Sequence, residues 1–318
     1  IKKLQEYLKT NTFVGFLLGP KNSGKGTYSK LFKEAVGEEH VRHISVGDVV
    51  RSIHNDFEDK TQKKELVSYL KNTYRGVTPL NDAIDALLGR NTTTLLPTEI
   101  ILTLVEREIA KSEKKAIFID GFPRSLDQIS YSLYFRTLMG YREDPDFFVF
   151  IDVPEAVIDE RMKYRVVCPV CQTPRSTKLL KTKEVGYDKK KDEVFLICDN
   201  PGCNNARLTS KEGDNLGIEA IRNRIEADKE VMNTLLTLEG VPKIYLRNAI
   251  PKEKAEENID AYEATPSYRY EVDKKTGKVT TVEEPWVVKD EKGTPSYSLL
   301  PPAIVVSLLK QITNVLNL

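Results

Sequence analysis

The sequence predicts an α/β protein, a P-loop three-layer fold built on a parallel sheet, and three observations carry that expectation. Short apolar runs alternate with stretches of helical periodicity, the pattern of a sheet with helices on both faces. One run, Phe13 to Leu18, leads into Gly19-Pro20-Lys21-Asn22-Ser23-Gly24-Lys25-Gly26-Thr27, the G-x-x-x-x-G-K form of a phosphate-cradling loop between a strand and a helix. A second run, Ala116 to Ile119, leads into Asp120-Gly121-Phe122-Pro123-Arg124. In the first loop the backbone N–H groups and a helix N-terminus face an anion, and Lys25 adds a movable positive charge. The second ends a strand with a carboxylate and then presents an arginine, a pairing suited to a hydrated Mg²⁺ and a second phosphate. One phosphate site implies a nucleotide binder; two imply phosphoryl transfer between nucleotides.

The elements follow in order. Strands are expected at Phe13–Leu18, Val41–Val46, Ala116–Asp120, Phe147–Val153 and Lys243–Leu246. Between them Ile100, Ile101, Leu104, Val105 and Ile109 recur at helical spacing, as do residues through 125–138. Pro97 stands where a helix would begin, and Pro154 follows a strand in the same way. Three excursions interrupt this alternation. Residues 52–96 read as two short helices, around Lys63–Lys71 and Asn81–Leu88, joined through Gly76 and Pro79. Residues 166–214 hold all four cysteines. Residues 262–300 contain Tyr-Arg-Tyr-Glu-Val, a polar turn with Gly277, and Lys-Val-Thr-Thr-Val, which predicts a β-hairpin.

Composition sets the class. With 318 residues the chain holds one large domain with insertions, or two domains. A hydrophobic content of 40% and a charged content of 30% describe a globular chain with apolar material for a core. Lysine plus arginine total 48 against 47 acidic residues, a net charge of +1, so no basic excess advertises a nucleic-acid partner. No apolar stretch approaches a membrane span and no secretory signal opens the chain, which makes a cytoplasmic setting the expectation.

Cys168-Pro-Val-Cys171 and Cys198-Asp-Asn-Pro-Gly-Cys203 are two short-spaced pairs separated by a hairpin-length segment. That is the spacing of a tetrahedral Cys₄ zinc site, in which each pair forms a knuckle and the thiolates converge on one ion. A disulfide is the competing reading, disfavoured in a cytosolic chain. Four thiolates leave no open coordination position, so such a zinc would be structural. His40, His43 and His54 lie away from the pairs in sequence and read as ordinary core or surface residues.

The G-K-G-T ending of the first loop, with Gly26 where the general motif has Ser or Thr, together with D-G-F-P-R, resembles the adenylate kinase family of nucleoside monophosphate kinases. The cysteine pairs resemble the zinc-bearing lid of some members. The resemblance implies a core of residues 1–51, 97–165 and 215–318 with a hairpin insertion at 262–300. It implies a helical monophosphate-binding segment at 52–96 and a zinc lid at 166–214. It further implies that Gly19, Asn22, Ser23, Gly24, Lys25, Gly26 and Thr27 hold the phosphates of Mg·ATP, with Asp120 anchoring the hydrated Mg²⁺. Ile44-Ser45-Val46-Gly47-Asp48 ending at Arg51 is similar to the acceptor-side stretch. Arg51 and Arg124, beside Gly121, would hold the AMP phosphate. Gln128 would read the adenine edge, while Leu95-Leu96-Pro97 closes over the base. Arg161 would pack on the donor adenine, and Arg165 and Arg224 would meet the transferring phosphates. The segment Ala303–Leu316 resembles the family's closing helix, and members are commonly monomeric.

Some positions depart from the family pattern. Val46 replaces a threonine near the base, Val166 replaces the second arginine of a pair, and Lys211 stands near an expected lid arginine. Asn22 replaces a loop glycine, which asparagine's tolerance of left-handed backbone allows. The second cysteine pair has four intervening residues, more than is usual in the family. The resemblance therefore implies an adenylate kinase, with alternatives in a UMP or CMP kinase and in a nucleotide-binding regulator with weakened catalysis. A zinc-ribbon nucleic-acid module fails on charge balance.

Overall fold

The computed structural model describes residues 1–90, 96–126, 128–129, 144–210, 213–258 and 263–318. Five strands form one parallel sheet in the spatial order Lys243–Arg247, Asp146–Asp152, Val14–Leu18, Ala116–Asp120, Val41–Ser45. In chain order this is 5-4-1-3-2. The strand expected at Val41–Val46 stops one residue early because Ser45 caps the next helix, its hydroxyl accepting from the Asp48 N–H at 3.3 Å.

The sheet strands are apolar throughout because both faces are covered. Val14, Phe16 and Leu18 of the first strand face one way, packing with Ile117, Ile119, Phe148 and Phe150 against the helices Thr98–Ala110 and Arg222–Thr237. On the other face Leu17, Phe118, Phe147 and Ile151 meet the helices Lys25–Val36 and Pro301–Val315 through Phe32, Ile304, Leu308 and Ile312. Three layers result, a parallel sheet between helices. Among the described residues, no helix is long and apolar enough to cross a membrane.

The excursions take distinct forms. In the first, helices run at Val46–Glu58, Lys60–Thr73 and Leu80–Leu87 around Ile53, Leu66, Leu70 and Ile84. The first of these crosses the boundary expected at residue 51, because its buried face continues from Val46 to Ile53. Most of the helix expected through residues 125–138 lies outside the described residues. The cysteine-bearing segment is a small antiparallel module: Arg165–Val167 pairs with Pro174–Ser176 and Thr209–Ser210, and Val185–Asp188 pairs with Glu193–Leu196. The late insertion contains the expected hairpin, Pro266–Val272 with Val279–Pro285. A second antiparallel sheet, Ala249–Pro251, Pro295–Ser298 and Val287–Lys289, carries its base.

One buried side chain joins several of these parts. Asn248 has no solvent exposure. Its Nδ2 donates to the Tyr28 hydroxyl (2.9 Å) and the Leu299 carbonyl (3.0 Å), while Oδ1 accepts from Ser298 Oγ (2.8 Å) and Arg161 Nη2 (3.2 Å). Buried polar groups left without partners are costly, so Asn248→Ala should lower unfolding stability by about 2–3 kcal/mol. Urea unfolding should show a lower midpoint at unchanged slope; an unmoved midpoint would mean water replaces the amide at no cost.

Candidate active site

The sheet strands run parallel, and the carboxyl ends of three of them, at Leu18, Ser45 and Asp120, line one cleft of about 640 Å³. The edge of a parallel sheet at its carboxyl ends is where such folds bind ligands. The loop after the first strand lines it from Gly19 to Thr27, with Lys21 and Asn22 on its wall. The loop's turn is built on left-handed backbone. Asn22 has φ +66° and Gly24 φ +104°, and a Cβ at Gly24 would lie 2.7 Å from the Tyr28 ring. Asparagine tolerates the first; only glycine suits the second.

Lys25 bends back over its own loop. Its Nζ donates to the Gly19 carbonyl at 2.6 Å and the Pro20 carbonyl at 3.0 Å, and lies 3.7 Å from Asp120 Oδ1. Burial lowers the pKa of this ammonium, and the Asp120 carboxylate opposes the shift. His43 approaches the other oxygen, with Nε2 3.9 Å from Asp120 Oδ2, and its burial lowers its pKa. Sequence reasoning treated His43 as an ordinary residue. Its position two before Ser45 on a strand, hence on the same face, is the signal that places it beside Asp120.

Cations line both sides. Arg161 donates to the Asn22 carbonyl at 3.1 Å, and Arg165 Nη1 to the Asn22 side-chain oxygen at 3.3 Å. Arg165 also forms a two-pronged pair with the buried Asp214 carboxylate, at 2.6 Å on each arm. Arg51, Arg124 and Arg224 line the cleft as well, as do Ser45, Asp120 and Gly121. Arg51 is hydrogen-bonded to Asp48 one turn earlier.

The chain aligns with several adenylate kinases. A family model described as "AAA domain" matches residues 18–166. The adenylate kinase of Thermotoga neapolitana is 30% identical over 155 residues, 48% of this chain and 59% of that protein. Longer alignments reach the adenylate kinases of Hydrogenobaculum sp., 28% identical over 215 residues (67% of this chain, 82% of that one), and Kosmotoga olearia, 27% over 233 residues (70% and 90%). Over these stretches the chain is similar to adenylate kinases. In the first of these alignments it spans somewhat under two thirds of its relative.

Other residues marked by the family resemblance lie off the cleft wall. Val46 is buried in the core against the sheet, and Leu96 packs among the helices of the first excursion. Leu95 and Lys211 lie outside the described residues. Gln128 is 8% exposed; its carbonyl accepts from the Arg124 N–H at 2.8 Å and its NH₂ donates to Thr98 Oγ1 at 3.4 Å. It therefore holds the Arg124 loop from behind.

The four cysteines are free, and their Sγ atoms all lie within 4.8 Å of one another. Cys171 and Cys198 are 3.6 Å apart, far longer than a disulfide of about 2.05 Å. Tetrahedral coordination at a metal–sulfur distance of about 2.3 Å places sulfurs about 3.8 Å apart, so the donor set fits a tetrahedral thiolate site. A hydrogen bond with the Thr173 hydroxyl lowers the pKa of Cys171 to about 6, whereas burial pushes Cys203 up to about 12. Backbone shapes both knuckles, with left-handed Gln172 after the first pair and left-handed Asn204 after the second.

Asp228, on the helix one turn beyond Arg224, also lines the cleft and was missed; its (i, i+4) spacing from Arg224 is the signal. Burial raises its pKa, against Lys25, Arg124 and the Lys21 N–H, which lower it. A carboxyl whose folded pKa is raised binds its proton more tightly in the native state. Stability therefore falls as pH rises from the unfolded value of 3.8 through the folded one, and at neutral pH the charged group is a net cost. Asp228→Asn should raise the Tm at pH 7, with the gain shrinking toward pH 3.8. A lower Tm for the variant at pH 7 would show that pairing with Lys25 and Arg124 outweighs burial.

Proposed function

We propose that the protein is an adenylate kinase, transferring a phosphoryl group reversibly between Mg·ATP and AMP to give two ADP. The observation that carries this reading is the single cleft in which loop amides, Lys25 and Asp120 stand beside Arg51, Arg124, Arg161, Arg165 and Arg224. Phosphoryl transfer asks little covalent chemistry of a protein; it asks for positioning and for neutralisation of charge on in-line phosphates. On this reading the donor phosphates enter the loop and draw Lys25 from the Gly19 and Pro20 carbonyls. Arg165 is already oriented by Asp214, so its Nη1 edge, once it leaves the Asn22 side chain, meets phosphate without a further search of rotamers. The residues that would hold hydrated Mg²⁺ are Asp120 and the hydroxyl of Thr27; the ion supplies charge neutralisation on the donor phosphates. On the acceptor side Ser45, Arg51, Gly121 and Arg124 face the monophosphate, and Gln128 holds the Arg124 loop. Residues 52–96 act as the monophosphate-binding segment and 166–214 as a lid that excludes water.

A kinase for another monophosphate is the second reading, and one observation favours it. The Gln128 amide is occupied inside the protein and would have to leave Arg124 to read a base. A coupled assay for ADP formation, run with AMP, UMP, CMP and GMP in turn, separates the two. AMP should give the highest kcat/KM; a better rate with UMP or CMP overturns the adenine assignment. Lys25→Met should lower kcat by about two to three orders of magnitude with the circular dichroism unchanged. Near-normal turnover in that variant would remove the loop lysine from the mechanism.

The cysteine module we assign to zinc, held by Cys168, Cys171, Cys198 and Cys203 as a closed structural site. Purified protein should contain about one zinc per chain by elemental analysis. Cys168→Ser or Cys198→Ser should lose the metal and lower the Tm of the module while the parallel sheet persists. Metal-free protein of unchanged Tm would overturn the assignment.

A further inference from the structure

The hairpin Pro266–Val272/Val279–Pro285 is rooted in the core, yet its strands lie on the cysteine module. At its base the Thr265 N–H donates to the Ser298 carbonyl at 2.7 Å, the Leu300 N–H to the Glu263 carbonyl at 2.7 Å, and Ala264 bridges Leu299. Thr265, Leu300 and Pro301 line the cleft. Farther out, the Tyr268 N–H donates to the Lys178 carbonyl at 2.7 Å, and Lys181 Nζ sits 5.6 Å over the Tyr268 ring. Tyr270 packs against the module's buried cluster of Val166, Cys168, Leu196 and Cys198. At the tip Lys274 pairs with Asp192 at 3.0 Å, and Lys189 Nζ approaches the Lys275 carbonyl at 3.5 Å.

We propose that this hairpin is a tie that fastens the cysteine module to the donor side of the core. Covalently the module joins the core at its two chain crossings, near Arg165 and Asp214. The hairpin makes a third attachment, displaced from both, and a body held at three points cannot turn freely about the line through two. For the module to leave the cleft, the Tyr268–Lys178 bond and the Tyr270 packing must break. The exposed Lys274–Asp192 pair adds little by itself, so the ring and backbone contacts carry the restraint. Because Thr265 and Tyr268 are only three residues apart, a shift of the module pulls on the cleft wall as well. The inference concerns attachment and stands whichever nucleotide the cleft takes.

Amide hydrogen exchange on the nucleotide-free, full-length protein tests it without reading activity. In one variant residues 268–283 are replaced by an Asn-Gly turn, so that the hairpin closes at the Ser267–Glu284 pair. Peptides within 174–198 should exchange about tenfold faster than in the parent, with peptides covering Val14–Leu18 and Ala116–Asp120 unchanged. A second variant, Tyr270→Ala with Lys274→Ala, keeps the hairpin and should move the same peptides in the same direction by a smaller factor. Metal content is measured in each, since loss of metal would loosen the module by another route. Unchanged exchange in 174–198 with the metal retained would overturn the tie. Should the shortened chain lose protection throughout the sheet, the double variant decides: unchanged module exchange there overturns the proposal.

Discussion

The chain has to turn from a buried strand at Leu18 into a helix at Lys25 while leaving backbone donors aimed outward. That turn governs the rest of the cleft. Its amides and the helix end it feeds carry positive potential, and an anion there is favoured by several donors at once. The loop is also held by the protein's own groups. Lys25 closes on the Gly19 and Pro20 carbonyls, and Arg161 and Arg165 grip the carbonyl and side chain of Asn22. The residue that replaces a glycine in the loop is therefore the one that two arginines hold. The loop's shape and the placement of Arg161 and Arg165 are a single structural problem with one solution.

Charge is arranged on the same logic. Concentrating arginines and a lysine around a cleft is repulsive, and three of these cations are offset by specific carboxylates. Arg165 has Asp214, Arg51 has Asp48, and Lys25 lies between Asp120 and Asp228. The pairs differ in exposure. Arg51 and Asp48 are both largely solvated, so their pairing is weak. The Arg165–Asp214 pair is mostly buried and two-pronged, so it orients the guanidinium and persists. A cleft built this way holds some cations in fixed orientation and leaves others loosely paired.

What the sequence made legible follows from where local chemistry alone decides structure. The loop residues, Asp120 and the five strands could be read because strand-to-loop-to-helix transitions need particular residues at fixed spacing. The convergence of the four cysteines could be read because each pair is short-spaced, so both thiols of a pair leave one turn. The late hairpin was legible from its alternation and turn, but its docking was not, since Tyr268 and Lys178 lie ninety residues apart and carry no shared motif. His43, Asp214 and Asp228 were missed for a similar reason. Each acquires meaning only through a partner on another element. Gln128 shows the converse: its sequence position matches a base-reading residue, while its amide is spent on the Arg124 backbone and Thr98. Register locates a side chain along an element but does not say which neighbour claims its hydrogen bonds.

The location of the late insertion has a physical logic of its own. It leaves the core just after the edge strand Lys243–Arg247, at the same carboxyl end of the sheet as the cleft, and returns directly into the closing helix. Asn248 sits at the point of departure and binds Tyr28 on the loop's helix, Ser298 on the returning strand, and Arg161 at the cleft. An insertion at the opposite end of the sheet could not reach the cysteine module. One starting here can span from the cleft wall to the cysteine module with strands of seven residues. Because Asn248 is wholly buried and each of its polar atoms is used, the insertion cannot shift at its base without breaking hydrogen bonds in the dry interior. The base is therefore anchored, so that a pull on the hairpin is passed to the residues that hold it, Tyr28, Ser298 and Arg161.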